Sequence, residues 1–299
     1  MSQRRLGIIY ALIAYGIWGV LPLYLKALHA VPPLQVVAHR IVWAALLLVV
    51  VITVGRKRDF VAQLRRRPGI IWTFMASALA LSVNWLVYIW GVSQGRVVDV
   101  SLGYFINPLF SIVLAVVVLK ERLRTGQWAA VALASVGVLW LALLAGQLPW
   151  IGLTLAASFG TYGLLRKTAS IDALGGLTLE TLLLLPLAAL YLLILSASGQ
   201  GAWSTADVSL RSLLVAAGPI TALPLLSFAA GARRIPLSLV GVLQYLGPTL
   251  QLGLGVFVFH ESLPSAKLAG FALIWLALVL YALEGALFSA RPKASVLSP

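Results

Sequence analysis

Residues 119–123 read Leu-Lys-Glu-Arg-Leu, and residues 259–263, 140 positions later, read Phe-His-Glu-Ser-Leu. The same offset lays Pro108 on Pro248, Gly91 on Gly231, Tyr88 on Phe228 and Ala129 on Ala269. One position further, Trp18-Gly19 falls on Phe159-Gly160 and Lys26 on Lys167. Leucine and alanine matches carry little in an apolar chain. Proline, glycine and glutamate recurring at one offset mark an internal duplication.

The duplicated unit is hydrophobic. Of the 299 residues 61% are apolar and 10% charged, and the mean hydropathy is +1.01. A soluble domain carries about a quarter of charged residues. Apolar runs of bilayer-spanning length follow one another with short polar breaks. Their approximate bounds are 6–26, 34–54, 70–91, 100–119, 126–145, 149–165, 174–196, 210–231, 237–259 and 267–288. Arg4 and Arg5 precede the first run, which continues past signal-peptide length without a small-x-small cleavage site, so it is expected to remain in the mature protein. The longest connections are Gly55 to Gly69, which is basic, and Ser196 to Ser209. Five runs fall in residues 1–146 and five in 147–299. Because five is odd, the second copy must enter the membrane from the opposite side. The predicted fold is therefore an all-α integral membrane protein, ten transmembrane helices arranged as two inverted five-helix repeats. Such repeats are a common basis for secondary transporters, since each half can gate one face in turn. A channel and a non-transporting scaffold remain open at this point.

Orientation follows from the basic residues. With the N-terminus in the cytoplasm, seventeen Lys and Arg lie in cytoplasmic segments, whereas Lys26, Arg96, Arg211 and Lys267 lie outside and Arg40 lies within a span. That bias predicts both termini on the cytoplasmic side of a bacterial inner membrane. The net charge of +14 is therefore read as topology. The basic clusters lack the interleaved aromatics of a nucleic-acid face. The chain has no cysteine, which excludes disulfides and thiolate chemistry. His260-Glu261 lacks the second histidine of a zinc protease motif. The aspartates Asp59, Asp99, Asp172 and Asp207 are isolated and outside the spans, unlike a magnesium-diphosphate site. No G-x-S-x-G or P-loop is present. The pattern predicts no enzyme, no cofactor and no metal.

Polar residues deep in the spans mark the candidate pathway. The fourth span carries Ser101, Tyr104, Pro108 and Ser111 at helical spacing, and the ninth carries Gly241, Gln244, Pro248 and Gln251. Asn107 before Pro108 and Gly247 before Pro248 predict a helix irregularity in each half. Proline frees a carbonyl that protein, water or ligand must satisfy. The stripe serves either close helix packing or a cavity, and glutamines at that depth favour the cavity. Asn84 and Tyr88 on the third span are further candidates for its lining. His39, Arg40 and Glu180 are ionisable residues within spans, which point to function by default. The 140 offset lays Glu180 on Arg40, and inversion puts the two near opposite faces, so they are not expected to pair. Each is read as a gate or pathway residue, or as snorkelling to its interface.

The chain resembles the drug/metabolite transporter superfamily with two EamA-type halves, and more closely its RarD-type members. The likeness covers nearly the whole chain. It rests on Trp18-Gly19 with Pro22 and Tyr24, Ala38-His39-Arg40 with Trp43, and Asn84-Trp85 with Tyr88-Ile89-Trp90. Ser101-Leu102-Gly103-Tyr104-Phe105-Ile106-Asn107-Pro108-Leu109 and Glu121-Arg122-Leu123 complete it. The resemblance implies ten helices, cytoplasmic termini and a central cavity, and places the chain near YddG-type exporters of amino acids, aromatic ones among them. The expectation is alternating-access export of neutral or aromatic amino acids, a small-molecule partner within a lipid bilayer. Asn84, Tyr88, Ser101, Tyr104, Asn107, Gln244 and Gln251 would contact the substrate. Trp18, His39, Arg40, Glu180, Pro108 and Pro248 would lie on the path or its gates. Export of drugs or amines is the alternative, and proton exchange and facilitated diffusion look alike in this sequence.

Overall fold

The computed structural model of the chain describes residues 1–56, 59–94, 97–144, 146, 150–258 and 264–289; the side chains of 92, 93, 97–99, 101, 102 and 286–289 are not among those described. Every regular element among the described residues is a helix. In order these are α1 (Gln3–Ala27), α2 (Pro33–Val54), α3 (Asp59–Arg66), α4 (Ile70–Ser93), α5 (Val97–Val117), α6 (Thr125–Leu144) and α7 (Trp150–Thr168). They continue with α8 (Ala173–Ala197), α9 (Ala202–Thr205), α10 (Val208–Ala232), α11 (Leu237–Gln244), α12 (Leu246–Phe257) and α13 (Ser265–Ser289). Among the described residues eight segments are long and apolar enough to cross a membrane: α1, α2, α4, α6, α8, α10, the pair α11–α12, and α13. The apolar part of α5, Gly103–Val117, is shorter, and α7 ends in Arg166-Lys167. The chain is a multi-pass membrane protein, all-helical among the described residues.

The two polar connections contain the short helices α3 and α9. Asp59 in the first turn of α3 and Arg65 and Arg66 in its last complement the helix dipole. The isolated aspartates also have local work. Asp172 Oδ1 accepts the Gly175 N–H at 3.0 Å at the start of α8, and Asp207 Oδ1 accepts that of Leu210 at 2.8 Å at the start of α10. Helix α11 begins after Pro236 with no side-chain cap of its own. Its orphan donors are taken by a distant residue: the Glu121 carboxylate accepts from Leu237 N (2.7 Å), Ser238 N (3.1 Å) and Ser238 Oγ (2.7 Å). A carboxylate there also meets the positive end of the α11 dipole.

The irregularity expected at both proline sites occurs at one. Between α11 and α12 the backbone tightens, Tyr245 N bonding the carbonyl three residues back, Val242 O, at 3.3 Å, and Pro248 has no N–H to offer Gln244. Pro108 sits inside the continuous helix α5. The two sites meet side by side, since a Cβ added to Gly241 would lie 2.7 Å from the Pro108 carbonyl oxygen. Only glycine permits that approach.

Helix α1 packs on α10 and α12, α7 on α4 and α5, α2 on α8 and α10, α11 on α5, and α13 on α6. The side bearing the chain's N-terminus is tied across: Arg233 Nη1 donates to Ala169 O (2.7 Å) and Ile171 O (2.6 Å), and Lys167 Nζ to Ala232 O (3.1 Å) and Ile235 O (2.6 Å). On the far side Gln35 joins the α8–α9 turn, donating to Gln200 O at 3.1 Å and accepting from Ala202 N at 2.7 Å.

Candidate functional site

A cavity of about 620 Å³ lies among the helices. That size suits a small solute. It reaches the far side through the α1–α2 turn, where Lys26, His29, Val31 and Pro33 border it, and runs inward to Tyr15, Leu81 and Leu225. The N-terminal side beneath it is closed by the Glu121 and Lys167 contacts just described.

The walls come from named turns of helix. From α1 come Tyr15, Trp18 and Pro22; from α2, Val36, Val37 and Arg40; from α4, Asn84, Trp85 and Tyr88. Helix α5 gives Gly103, Tyr104 and Asn107, α7 gives Leu155 and Phe159, and the α11–α12 break gives Gln244, Gly247, Pro248 and Gln251. Helix α10 supplies only Leu225. Its small residues are spent on close packing, because a Cβ at Gly218 would meet the Trp43 carbonyl oxygen at 2.7 Å and one at Gly231 the Gly7 carbonyl oxygen at 3.0 Å.

Prolines and amides work together in these walls. Pro22 cannot donate to the Trp18 carbonyl one turn back, and Gln251 Nε2 donates to it at 3.1 Å. Asn84 Nδ2 donates to Leu155 O (3.0 Å) and Ser158 Oγ (3.1 Å). Both side chains are thereby fixed, with their carbonyl oxygens left without a partner among the described residues. Asn107 is 4% exposed, and its Oδ1 has no partner among the described residues. The apolar wall is aromatic: the Trp18 ring meets Phe159 edge-on at 5.4 Å and Tyr15 at 5.7 Å, and Tyr88 meets Tyr104 at 6.2 Å.

Arg40 is the charged group at mid-depth. It is the eighth residue of α2, so its Cα lies about 10 Å from the helix start at 1.5 Å per residue. Its Nε donates to Thr221 Oγ1 at 2.9 Å, and its guanidinium carbon stands 5.1 Å from the centre of the Trp85 ring.

The structure brings together nine of the residues singled out in the sequence: Trp18, Arg40, Asn84, Tyr88, Tyr104, Asn107, Gln244, Pro248 and Gln251. Ser101 lies in α5, but its side chain is outside the described residues, as are His260 and Glu261. His39, Pro108 and Glu180 are not part of the lining. His39 points away from the cavity wall, buried with its ring 6.0 Å from that of Trp203. Pro108 faces Gly241 of α11. Glu180 accepts from Ser77 Oγ and stands 3.5 Å from Arg166 Nη1, both charged side chains being 1% exposed. It does not meet Arg40, as inversion led us to expect. Sequence reasoning gave no lining role to Tyr15 or Phe159 and no capping role to Glu121. The 140 and 141 offsets had already flagged Phe159 and Glu121.

The model of the EamA-like transporter family matches residues 5–143. An uncharacterized transporter of Pseudomonas aeruginosa is 44% identical, the match covering 95% of each chain. The protein RarD of Streptomyces exfoliatus is 42% identical over 98% of this chain and 93% of its own, and that of Escherichia coli 41% over 95% and 96%. A crystal structure with 19% identity superposes with a TM-score of 0.67, covering 96% of this chain and all of the other, which carries the fold alone. With likeness of this depth along almost the whole length, the chain belongs to the EamA-like transporters of the drug/metabolite transporter superfamily, beside the RarD proteins, and is a transporter and not an enzyme.

Proposed function

We propose that this transporter exports neutral or aromatic amino acids and related small metabolites across a bacterial inner membrane, by alternating access between two inverted five-helix halves, 1–146 and 147–299. The cavity carries the reading: aromatic rings and fixed amides line a solute-sized space that reaches one side while the other is tied shut. Both termini are cytoplasmic in this reading, which the basic bias supports, so the structure is in an outward-facing form.

Several contacts support the ten crossings and the inversion. Trp18 touches Phe159, its mate in the repeat register, and Tyr245 Oη donates to the carbonyl of Phe105, 140 positions earlier, at 3.3 Å. Contacts between mates are what a twofold axis through the cavity requires. Helix α1 packs on α10 as α7 packs on α4, the same pair with the halves exchanged. The family model falls within the first proposed half.

No Asp or Glu is among the described residues lining the cavity, which disfavours the alternative of cationic drugs or amines. Counterflow of labelled phenylalanine, tyrosine and tryptophan in proteoliposomes tests the reading. Saturable flux above empty vesicles is expected, lowered in Tyr104→Ala and Gln244→Ala without loss of folded protein. Absence of flux for every amino acid removes the substrate assignment. Repeating the assay with an imposed pH gradient separates proton exchange from facilitated diffusion.

A further inference from the structure

An arginine has five N–H donors in a planar fork. In three other arginines terminal nitrogens of the fork are engaged: Arg166 Nη2 on Ala173 O, Arg233 Nη1 on Ala169 O and Ile171 O, and Arg124 Nη2 on Glu284. Arg40 differs. Only its Nε is bonded, to Thr221, so the four N–H of its terminal nitrogens have no acceptor among the described residues. It lines the cavity together with Tyr88 and Tyr104, backed by Trp85. A cation held in an apolar layer without a counter-ion is costly, and a solute can supply that ion.

We infer that Arg40 anchors the carboxylate of the substrate, and that the site therefore takes monoanionic aryl carboxylates, 2-hydroxy acids included, at least as well as the matching zwitterionic amino acids. The inference rests on reading this cavity as the substrate site. The terminal N–H pairs fit a carboxylate in two parallel bonds. Among the described lining residues none is the complementary partner for an ammonium, since none is a carboxylate. The amide side chains of the lining accept from a hydroxyl as readily as from an ammonium, so they do not demand the positive charge. Trp18, Phe159 and Tyr104 offer rings to an aromatic body.

Three ligands that differ by one group decide the matter: phenylalanine, 3-phenyllactate (hydroxyl for ammonium) and phenethylamine (no carboxylate). Each is titrated against the purified full-length protein by calorimetry and used as competitor in phenylalanine and 3-phenyllactate counterflow at neutral pH. Phenethylamine is expected to bind about tenfold or more weakly than phenylalanine, as for loss of a charge-assisted hydrogen-bond pair. 3-Phenyllactate is expected to equal or exceed phenylalanine. Arg40→Gln should abolish the preference for the carboxylate, and Arg40→Lys, a point charge without the fork, should keep part of it.

Phenethylamine matching phenylalanine while 3-phenyllactate fails overturns the inference and leaves the amino-acid reading standing. 3-Phenyllactate moving while phenylalanine does not upholds the inference and removes amino acids as substrates. Failure of all three overturns both. Should Arg40→Gln not fold, the ligand series on the natural protein decides alone.

Discussion

Arg40 and Arg166 are both arginines inside apolar helices, and their surroundings share almost nothing. Arg166, on α7, is 1% exposed, faces the equally buried Glu180 at 3.5 Å, donates to Ala173 O at 2.9 Å and lies over the Phe74 ring at 5.4 Å. Ser77 supplies Glu180 with a second hydrogen bond. Arg40, on α2, borders the cavity and meets a hydroxyl and an indole but, among the described residues, no carboxylate. Depth alone therefore does not mark a charge as functional. A buried charge with its counter-ion and its acceptors belongs to the scaffold; one whose fork faces an open volume is available to a solute.

The largest effect of breaking this contrast is expected on the scaffold side. Glu180→Ala leaves Arg166 buried without its counter-ion, which costs about 3–5 kcal/mol. The melting temperature in detergent should fall steeply, with loss of monodisperse protein. Replacing both residues by leucine should recover much of that loss, because the pair as a unit repays little beyond its own desolvation. Recovery absent in the double variant would mean that Arg166 holds the α7–α8 turn through Ala173 and not through its charge. A smaller loss is expected from Gly176→Ala on α8. The added Cβ would lie 2.0 Å from Arg166 Nη1 and 2.6 Å from the Phe74 ring, so the guanidinium must shift from its site. Overpacking of this kind costs about 1–3 kcal/mol, and a melting curve identical to that of the natural protein would show that the arginine has room to move.

These residues also show how far the sequence could be read. Composition and run length disclose a multi-pass helical protein, and helix bounds such as 34–54 against Pro33–Val54 differ by a residue or so. The short helices α3 and α9 escape because they lie in polar connections, where no bilayer-length pattern announces them. The break before Pro248 and the intact helix through Pro108 are indistinguishable in sequence; the difference arises where Tyr245 turns its backbone to a bond three residues back. Asn84, Tyr88, Tyr104, Asn107, Gln244 and Gln251 were legible as cavity-lining residues because polar side chains at that depth need a cavity or a partner. The direction of Arg40 was not, since inward and snorkelling rotamers differ only by Thr221, 181 positions away. Nor was the partner of Glu180, because nothing in local spacing ties the last turn of α7 to the second turn of α8. The cap of α11 by Glu121 spans 116 positions and depends wholly on the tertiary fold.

A second ion pair grades the contrast by exposure. Arg124 precedes α6 and forks onto Glu284 of α13, with side-chain exposures of 39% and 12%. Water competes for the arginine there, so Glu284→Gln is expected to cost about 1 kcal/mol or less. The loss should shrink further at high ionic strength, whereas the Glu180→Ala loss should not. Salt-dependent melting curves of the two variants, measured side by side, test this directly. Equal salt sensitivity would place Glu180 in contact with solvent and remove the distinction between the pairs.

The smallest effect on stability is expected at Arg40 itself. Arg40→Gln gives up the hydrogen bond to Thr221 and the contact with Trp85, and relieves the chain of a desolvated cation that has no counter-ion among the described residues. A cation over an indole contributes about 0.5–2 kcal/mol, a charged hydrogen bond about 1.5–3 kcal/mol, and the desolvation penalty is several kcal/mol of opposite sign. The two sides offset, so the melting temperature should stay within a few degrees of the natural protein or rise. Added 3-phenyllactate should raise the melting temperature of the natural protein, since a ligand that binds only the folded form stabilises it, and should leave that of Arg40→Gln where it was. A steep loss of stability in Arg40→Gln would show that this arginine is held by the fold as Arg166 is, with Thr221 and Trp85 as sufficient partners. The charge at the cavity would then be part of the scaffold, and the solute would have to be recognised by the amides alone.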